Sequence, residues 1–415
     1  NAAFGYEALT LNGNTFQNVA FGASALSGLD AGEGNTAFGY QAIANFAECC
    51  GGNASYNTAF GRSALANTDR GSRSVAIGYM ALFNSGSNDS DDTIAVGTQA
   101  LSSDSSAGPN IAIGYNAMNG VQAGVNNIAI GTSALSDNAA GSANIAIGYY
   151  ALLHGGGSAN VAVGYQALME NTTGEDNVAV GYEALKTASG VRGAVAIGYQ
   201  ALVNAASGDR MMAIGYRALA TIGRCTDNLA IGYNAMLKSE DTAENNTAVG
   251  YNALYNGTRV SRNVAVGYDV LYNNVAGNDN VAIGAEAAQA TNSDSNVAVG
   301  GYAMSDNISG MYNVAIGTKA ASTGDGRYYV AIGHTAMFSA AADSNAIGSE
   351  ALLQAGGVSG NDAFGYQALH GPSADGNVGV GVRAFASVSV AAANTGIGSR
   401  AGDNVRTGSK NVAIG

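Results

Sequence analysis

The stretch Asn144-Ile145-Ala146-Ile147-Gly148-Tyr149-Tyr150-Ala151-Leu152 decides the fold, because the chain says it again almost at once. After a seven-residue spacer comes Asn160-Val161-Ala162-Val163-Gly164-Tyr165-Gln166-Ala167-Leu168. Taking the glycine as position 0, the phrase recurs 25 times between Gly5 and Gly415, with Gly114, Gly131 and Gly181 among its glycines. Sixteen of the 24 intervals are 17 residues and the rest run from 15 to 22. A fixed short period of this kind is the signature of a repeat architecture. The copies leave no room for a linker, so residues 1–415 read as a single continuous repeat domain.

The variation is placed informatively. Position −2 is Ala in 23 copies, with Gly379 and Gly396 as the exceptions, and −1 is Ile, Val or Phe throughout. Position +3 is Ala in every copy that has one except Val270, and −4 is Asn in 19. Insertions fall only between about +5 and −5, as around Cys49–Cys50 and in Ser87–Asp92. The phrase is therefore a fixed structural element and the spacer a loop. It is short, β-branched and bounded by Asn and Gly, which reads as a strand. Seventeen residues are too few for a pair of helices. They suit one coil of an all-β parallel β-solenoid: a short strand, a turn, a second short strand over Ala-Leu and a return loop. Coils stacked at about 4.8 Å predict a rod of roughly 115 Å.

Composition narrows function. The 415 residues include 60 Gly but only 2 Pro, which excludes collagen and Pro-rich disorder. Charged residues are 11%, there are 3 His and no Trp, so acid–base chemistry has little raw material. The net charge of −13 disfavours nucleic acid and anionic membranes as partners. No Lys or Arg precedes Arg62, and no apolar run approaches a membrane span. The chain starts and stops inside the repeated phrase, so it reads as an excerpt of a longer protein.

Both faces of the strand are small or apolar. Positions −3 and −1 (Val412 and Ile414) point one way, −2 and 0 (Ala413 and Gly415) the other. One set fills the coil interior. The Ala/Gly face admits close approach of a further layer, and a neighbouring chain is expected there in preference to the opposite wall of the same roll. The structural core expected from the repeat comprises Gly114, Gly131, Gly148, Gly164, Gly181, Ala146, Ile147, Ala151, Leu152, Ala162, Val163, Ala167 and Leu168.

The two phrases quoted above resemble the head repeats of trimeric autotransporter adhesins of the YadA type, and the related repeats of phage and other viral fibre proteins. The resemblance extends over all 25 copies. It implies a left-handed β-roll, a homotrimeric rod, an extracellular setting on a cell or virion surface, and a role in adhesion or as a tail fibre. The coils here are longer than those of adhesin heads, Tyr at +1 is unusually regular, and the adhesins' neck, stalk and anchor do not occur in these residues.

Candidate sites each have a structural alternative. The Asn column (Asn18, Asn35, Asn110, Asn127, Asn177, Asn263, Asn280 and Asn411 among others) either presents amides to a glycan or bonds coil to coil. The Tyr column, including Tyr115, Tyr149, Tyr165, Tyr182, Tyr199, Tyr216, Tyr233, Tyr251 and Tyr268, is a surface for sugar rings or another chain, or else covers a seam. Gly379-Val380-Gly381 lacks the Lys and the strand–loop–helix context of a phosphate loop. Acidic loops at Asp89, Asp91 and Asp92, at Glu175 and Asp176, and at Glu240, Asp241 and Glu244 have no calcium-loop spacing and read as solvated charge. Cys49 and Cys50 lie about ten coils from Cys225, too far to pair with it within one chain, which leaves a vicinal bond, a cross-chain bond or free thiols. His154, His334 and His370 fall in separate coils, so no metal, cofactor or catalytic constellation is expected. Position +2 (Glu7, Gln41, Glu183, Arg217, Asp269, Lys319, Arg400) reads as solvent-facing.

The function expected is a non-enzymatic extracellular fibre or adhesin. Its partners would be copies of itself, as a homotrimer or end-to-end filament, and a surface glycan or host receptor. Rivals are a filament or sheath subunit, a polysaccharide-active solenoid enzyme, which would need carboxylates clustered on adjacent coils, and an ice-binding solenoid, for which Thr36, Thr58 and Thr247 are too isolated.

Overall fold

The computed structural model describes residues 1–415 apart from 11–14, 29–31, 45–53, 68–70, 84–90, 104–107, 121–123, 138–140, 206, 240–241, 340–341, 355–356, 372–373 and 388–391. The chain is all-β and winds as a parallel β-solenoid with the 17-residue period. It forms two compact units, Asn1–Arg210 and Met211–Gly415. Among the described residues the first carries twelve three-residue strands, from Ala2–Phe4 to Val195–Ile197. The second carries thirteen, from Met212–Ile214 to Val412–Ile414, and a two-residue side ladder, Thr221–Ile222 on Lys238–Ser239.

Register is the repeat made physical. Ile128, Ala129 and Ile130 pair with Ile145, Ala146 and Ile147, so each position sits on the same position of the next coil. The glycine column explains its own invariance. Gly131 has φ +133°, where a side chain is strained, and a Cβ there would come 2.5 Å from the Gly148 carbonyl oxygen of the following coil. Gly114 and Gly78 repeat that relationship at φ +141° and +136°.

The expected second strand over Ala-Leu does not form. Positions +2 and +4 are left-handed instead: Tyr150 and Leu152 have φ of 55° and 49°, Gln166 and Leu168 of 54° and 51°. Their N–H groups still bond between coils, Tyr150 to the Thr132 carbonyl at 3.1 Å and Leu152 to the Ala167 carbonyl at 2.9 Å. The physical reason is closure. A coil of 17 residues must turn sharply while its peptide groups stay parallel to the stacking axis, where the next coil satisfies them. Left-handed residues do both, at a cost of about 1–2 kcal/mol each. Inter-coil bonding and burial of the leucine offset that cost.

The core is the second correction. Ala146 and Ala162 at −2, Ala151 and Ala167 at +3, and Leu152 and Leu168 at +4 are fully buried. Ile147 at −1 is 38% exposed and Val163 is half-buried, so these two lie on the outer face and not in the core. The partner of the alanine face is the opposite wall of the same roll. Gly379 and Gly396 show this directly: a Cβ on Gly379 would meet Leu369 Cγ at 2.9 Å, and one on Gly396 would meet the Phe385 ring. Opposite these buried leucines the strand wall has room for methyl groups only, and the β-branched side chains of the strand are turned outward.

Candidate interaction surface

The outward set forms a wall. Strand side chains alternate, so −3, −1 and +1 share one face. In the first unit the −1 column runs Phe4, Phe21, Phe38, Phe60, Ile77, Val96, Ile113, Ile130, Ile147, and the four phenylalanines stack with centroids 4.7–4.9 Å apart. Position −3 adds Val75, Ile94, Ile111, Ile128 and Ile145, all half-buried. Across both units these two columns hold a single charged residue, Asp362, while the chain as a whole carries −13. The twelve rungs of the first unit make an uncharged strip of roughly 60 by 13 Å, close to the ~800 Å² that one partner contributes to a stable interface.

The tyrosines border this wall as ladders. Tyr149, Tyr165, Tyr182 and Tyr199 stack in the first unit with successive centroids 4.9–5.4 Å apart and planes within 8°. Tyr216, Tyr233, Tyr251 and Tyr268 do the same in the second, at 4.8–5.4 Å. Each of these tyrosines is exposed, but stacking occupies the ring faces. Inside a ladder only edges and hydroxyls meet solvent. A sugar ring laid flat on a tyrosine therefore has no access there, and an edge-on contact with another surface does. Burial and the neighbouring Glu183 carboxylate raise the Tyr182 hydroxyl above its ordinary value.

The asparagine column is a buried ladder. The Asn160 N–H donates to Asn144 Oδ1 at 2.9 Å, and Asn144 Nδ2 donates to the Gly157 carbonyl at 2.9 Å. The pattern runs through Asn110, Asn127, Asn144, Asn160 and Asn177, and again from Asn228 through Asn246, Asn263, Asn280 and Asn296 to Asn313. Asn18 and Asn35 join in the same way at 2.8 Å, and Asn411 donates to Asn394. These amides cross-link coils, and apart from the exposed Asn411 those named are buried and not presented to a ligand.

The remaining candidates scatter. Asp91 and Asp92 pair with Arg73, which holds Asp92 below its ordinary carboxylate range. Asp325 Oδ1 accepts the Ile308 and Ser309 N–H groups at 2.6 and 2.9 Å, so this acidic side chain holds a loop. Asp89, Glu240 and Asp241 lie outside the described residues, as do Cys49 and Cys50; Cys225 is buried. His154 lies 3.2 Å from Asp137, and His370 lies 3.7 Å from Glu350. Among the described residues no group of three His, Cys, Asp or Glu side chains is placed to hold a metal ion. Gly379-Val380-Gly381 belongs to strand Val378–Val380 and its turn, without a helix. At +2, Glu7, Lys319 and Arg400 are exposed, and Gln41, Glu183, Arg217 and Asp269 are half-buried. An open cleft is lined by Ser103, Asn116, Asn119, Gly120, Ser136 and Asp137, without a converging set of charges.

Sequence reading missed two features of the surface. Phe at −1 was visible, but its continuous stack needed the register. Arg62 stands in the tyrosine column at +1, a departure the alignment of copies could have flagged. No helix among the described residues is long and apolar enough to cross a membrane. Comparisons with protein-family models, with curated proteins and with solved structures find no match.

Proposed function

We propose that this chain is a segment of a non-enzymatic extracellular fibre in which copies of the β-solenoid associate along the Val/Ile/Phe wall. The assembly we favour is a homotrimer of left-handed rolls that projects from a cell or virion and presents its loops for attachment. The observation that carries this reading is the wall: long columns of half-exposed Val, Ile and Phe, with Asp362 their single charge, on a chain whose net charge is −13. Exposed apolar strips of this extent mark interaction sites. The regular rise of the coils lets identical walls meet in register, many rungs at once. The setting and the attachment role rest on the resemblance of the repeat to adhesin heads and viral fibres.

The test is mass in solution by sedimentation, on the wild type and on the double variant Ile113→Glu/Ile147→Glu. Two buried carboxylates facing an apolar partner wall disfavour association strongly. A trimer that becomes monomeric in the variant, with an unchanged far-ultraviolet spectrum, is the expected result. A wild type that stays monomeric at tens of micromolar would overturn the proposal.

A further inference from the structure

One rung of the tyrosine column is filled by a group other than a phenol. Arg62 stands at +1, and its guanidinium carbon lies 5.8 Å from the Tyr40 ring centroid and 5.7 Å from that of Tyr79. A guanidinium is planar, weakly hydrated and attracted by ring faces, so it can take the place of a missing ring. The chain thus displays its own example of an arginine held between two tyrosines two rungs apart.

The same frame recurs one step earlier with its centre unfilled. Tyr6, Ala23 and Tyr40 hold +1 in three successive coils. The Ser24 N–H donates to the Tyr6 carbonyl at 2.8 Å and the Gln41 N–H to the Ala23 carbonyl at 3.0 Å, which puts the three in register. On the adjoining column, Phe4, Phe21 and Phe38 rise by 4.9 and 4.7 Å, so Tyr6 and Tyr40 stand two such steps apart. Between them a methyl group replaces a ring. Tyr6 is 75% exposed and Tyr40 48%. The other non-tyrosine rungs set between two tyrosines, Thr98 and Thr132, carry branched side chains, while Ala285 has a tyrosine on one side only and Gly301 on neither.

We propose that the gap over Ala23 is a slot for the guanidinium of an arginine presented by a cationic partner polypeptide. Tyr6 and Tyr40 sandwich the planar group as Tyr40 and Tyr79 sandwich Arg62. Charge points the same way: residues 1–61 contain Glu7, Asp30, Glu33 and Glu48 and no Lys or Arg. Glu7 neighbours Tyr6, and its carboxylate, hydrogen-bonded by the Tyr6 hydroxyl, raises that phenol above its ordinary value. The slot lies at the margin of the apolar wall, beside the polar column of Glu7, Ser24 and Gln41. It does not depend on the assembly proposed above.

The test is titration of the whole chain with a tetra-arginine peptide at low ionic strength, with tetra-lysine as the comparison. The wild type is expected to bind tetra-arginine saturably, and tetra-lysine at least fivefold more weakly. Ala23→Arg puts the protein's own guanidinium into the slot and should weaken peptide binding tenfold or more. Ser399→Arg adds the same charge on an exposed +1 rung and should stay within twofold of the wild type. Tyr6→Leu opens one side of the slot and should weaken binding without adding charge, so the proposal stays testable if Ala23→Arg misfolds. Absence of saturable binding, equal affinity for the two peptides, or equal effects of Ala23→Arg and Ser399→Arg would overturn it. Mass measured on the same samples separates the two proposals: a monomer that binds tetra-arginine leaves the slot standing and removes the assembly.

Discussion

Phe385 and Gly396 compensate for one another. Phe385 stands at +4, where the other coils place Leu, Met, Ile, Ala or, in the last coil, Gly402, and it is fully buried. Gly396 stands at −2 of the next coil, where nearly every copy has Ala, and a Cβ there would approach the Phe385 ring to 2.6 Å. The larger side chain on one wall is accommodated by the loss of a methyl group on the other.

This pair predicts coupling. Gly396→Ala overpacks the wild type and should cost about 1–3 kcal/mol. In a Phe385→Leu background the same substitution restores the common Leu/Ala pair and should be neutral or stabilising. A double-mutant cycle read from urea melts and from amide exchange in the flanking coils is expected to give an interaction energy above ~1 kcal/mol. Additive effects would show that the two walls do not meet.

The glycine column predicts a local lesion. Gly131→Ala forces a side chain into φ +133° and against the Gly148 carbonyl. The expected cost is about 1–3 kcal/mol. It should be confined to the neighbouring coils, because each repeat contacts chiefly its neighbours. Hydrogen exchange should therefore accelerate around Ile128–Ile130 and Ile145–Ile147 and stay unchanged in the second unit.

The asparagine ladder predicts an asymmetric cost. Asn144→Ala strips partners from the buried Asn160 N–H and the Gly157 carbonyl. At about 1–3 kcal/mol for each buried group left unpaired, it should be among the most damaging single changes outside the glycine column. Asn144→Ser, the solution the chain itself uses at Ser74 and Ser344, should recover part of the loss in thermal melts.

Tyr329 breaks the same ladder. It occupies the −4 position, is 1% exposed, and its hydroxyl has no hydrogen-bond partner among the described residues. Tyr329→Phe should stabilise the protein by about 1–3 kcal/mol, the cost of a buried unpaired polar group. Burial, reinforced by Asp325, raises the phenol above its ordinary value near 10. The folded state therefore favours the neutral form. That contribution is complete below pH 10 and is lost as pH rises beyond it, when the unfolded phenol ionises. Alkaline melts should show an extra loss of stability in the wild type that Tyr329→Phe lacks.

The repeat itself determined a great deal. Its period set one coil per phrase, its constant positions set the stacking of like on like, and its insertions set the loops. Each follows from local chemistry: a β-branched stretch bounded by Asn and Gly, and a glycine no other residue can replace. Alternation also told which side chains travel together, Ile145 with Ile147 and Ala146 with Gly148. It did not tell which set faces inward. That choice belongs to the direction in which the coil closes, and the tertiary structure decided it by bringing two walls so near that alanine fits and isoleucine does not. The same closure turned Tyr150 and Leu152 left-handed where extended chain was expected, because peptide groups must stay aligned with the stacking axis as the backbone bends. The Arg62 sandwich and the Phe385–Gly396 fit join residues from different coils, and only the fold sets such residues side by side.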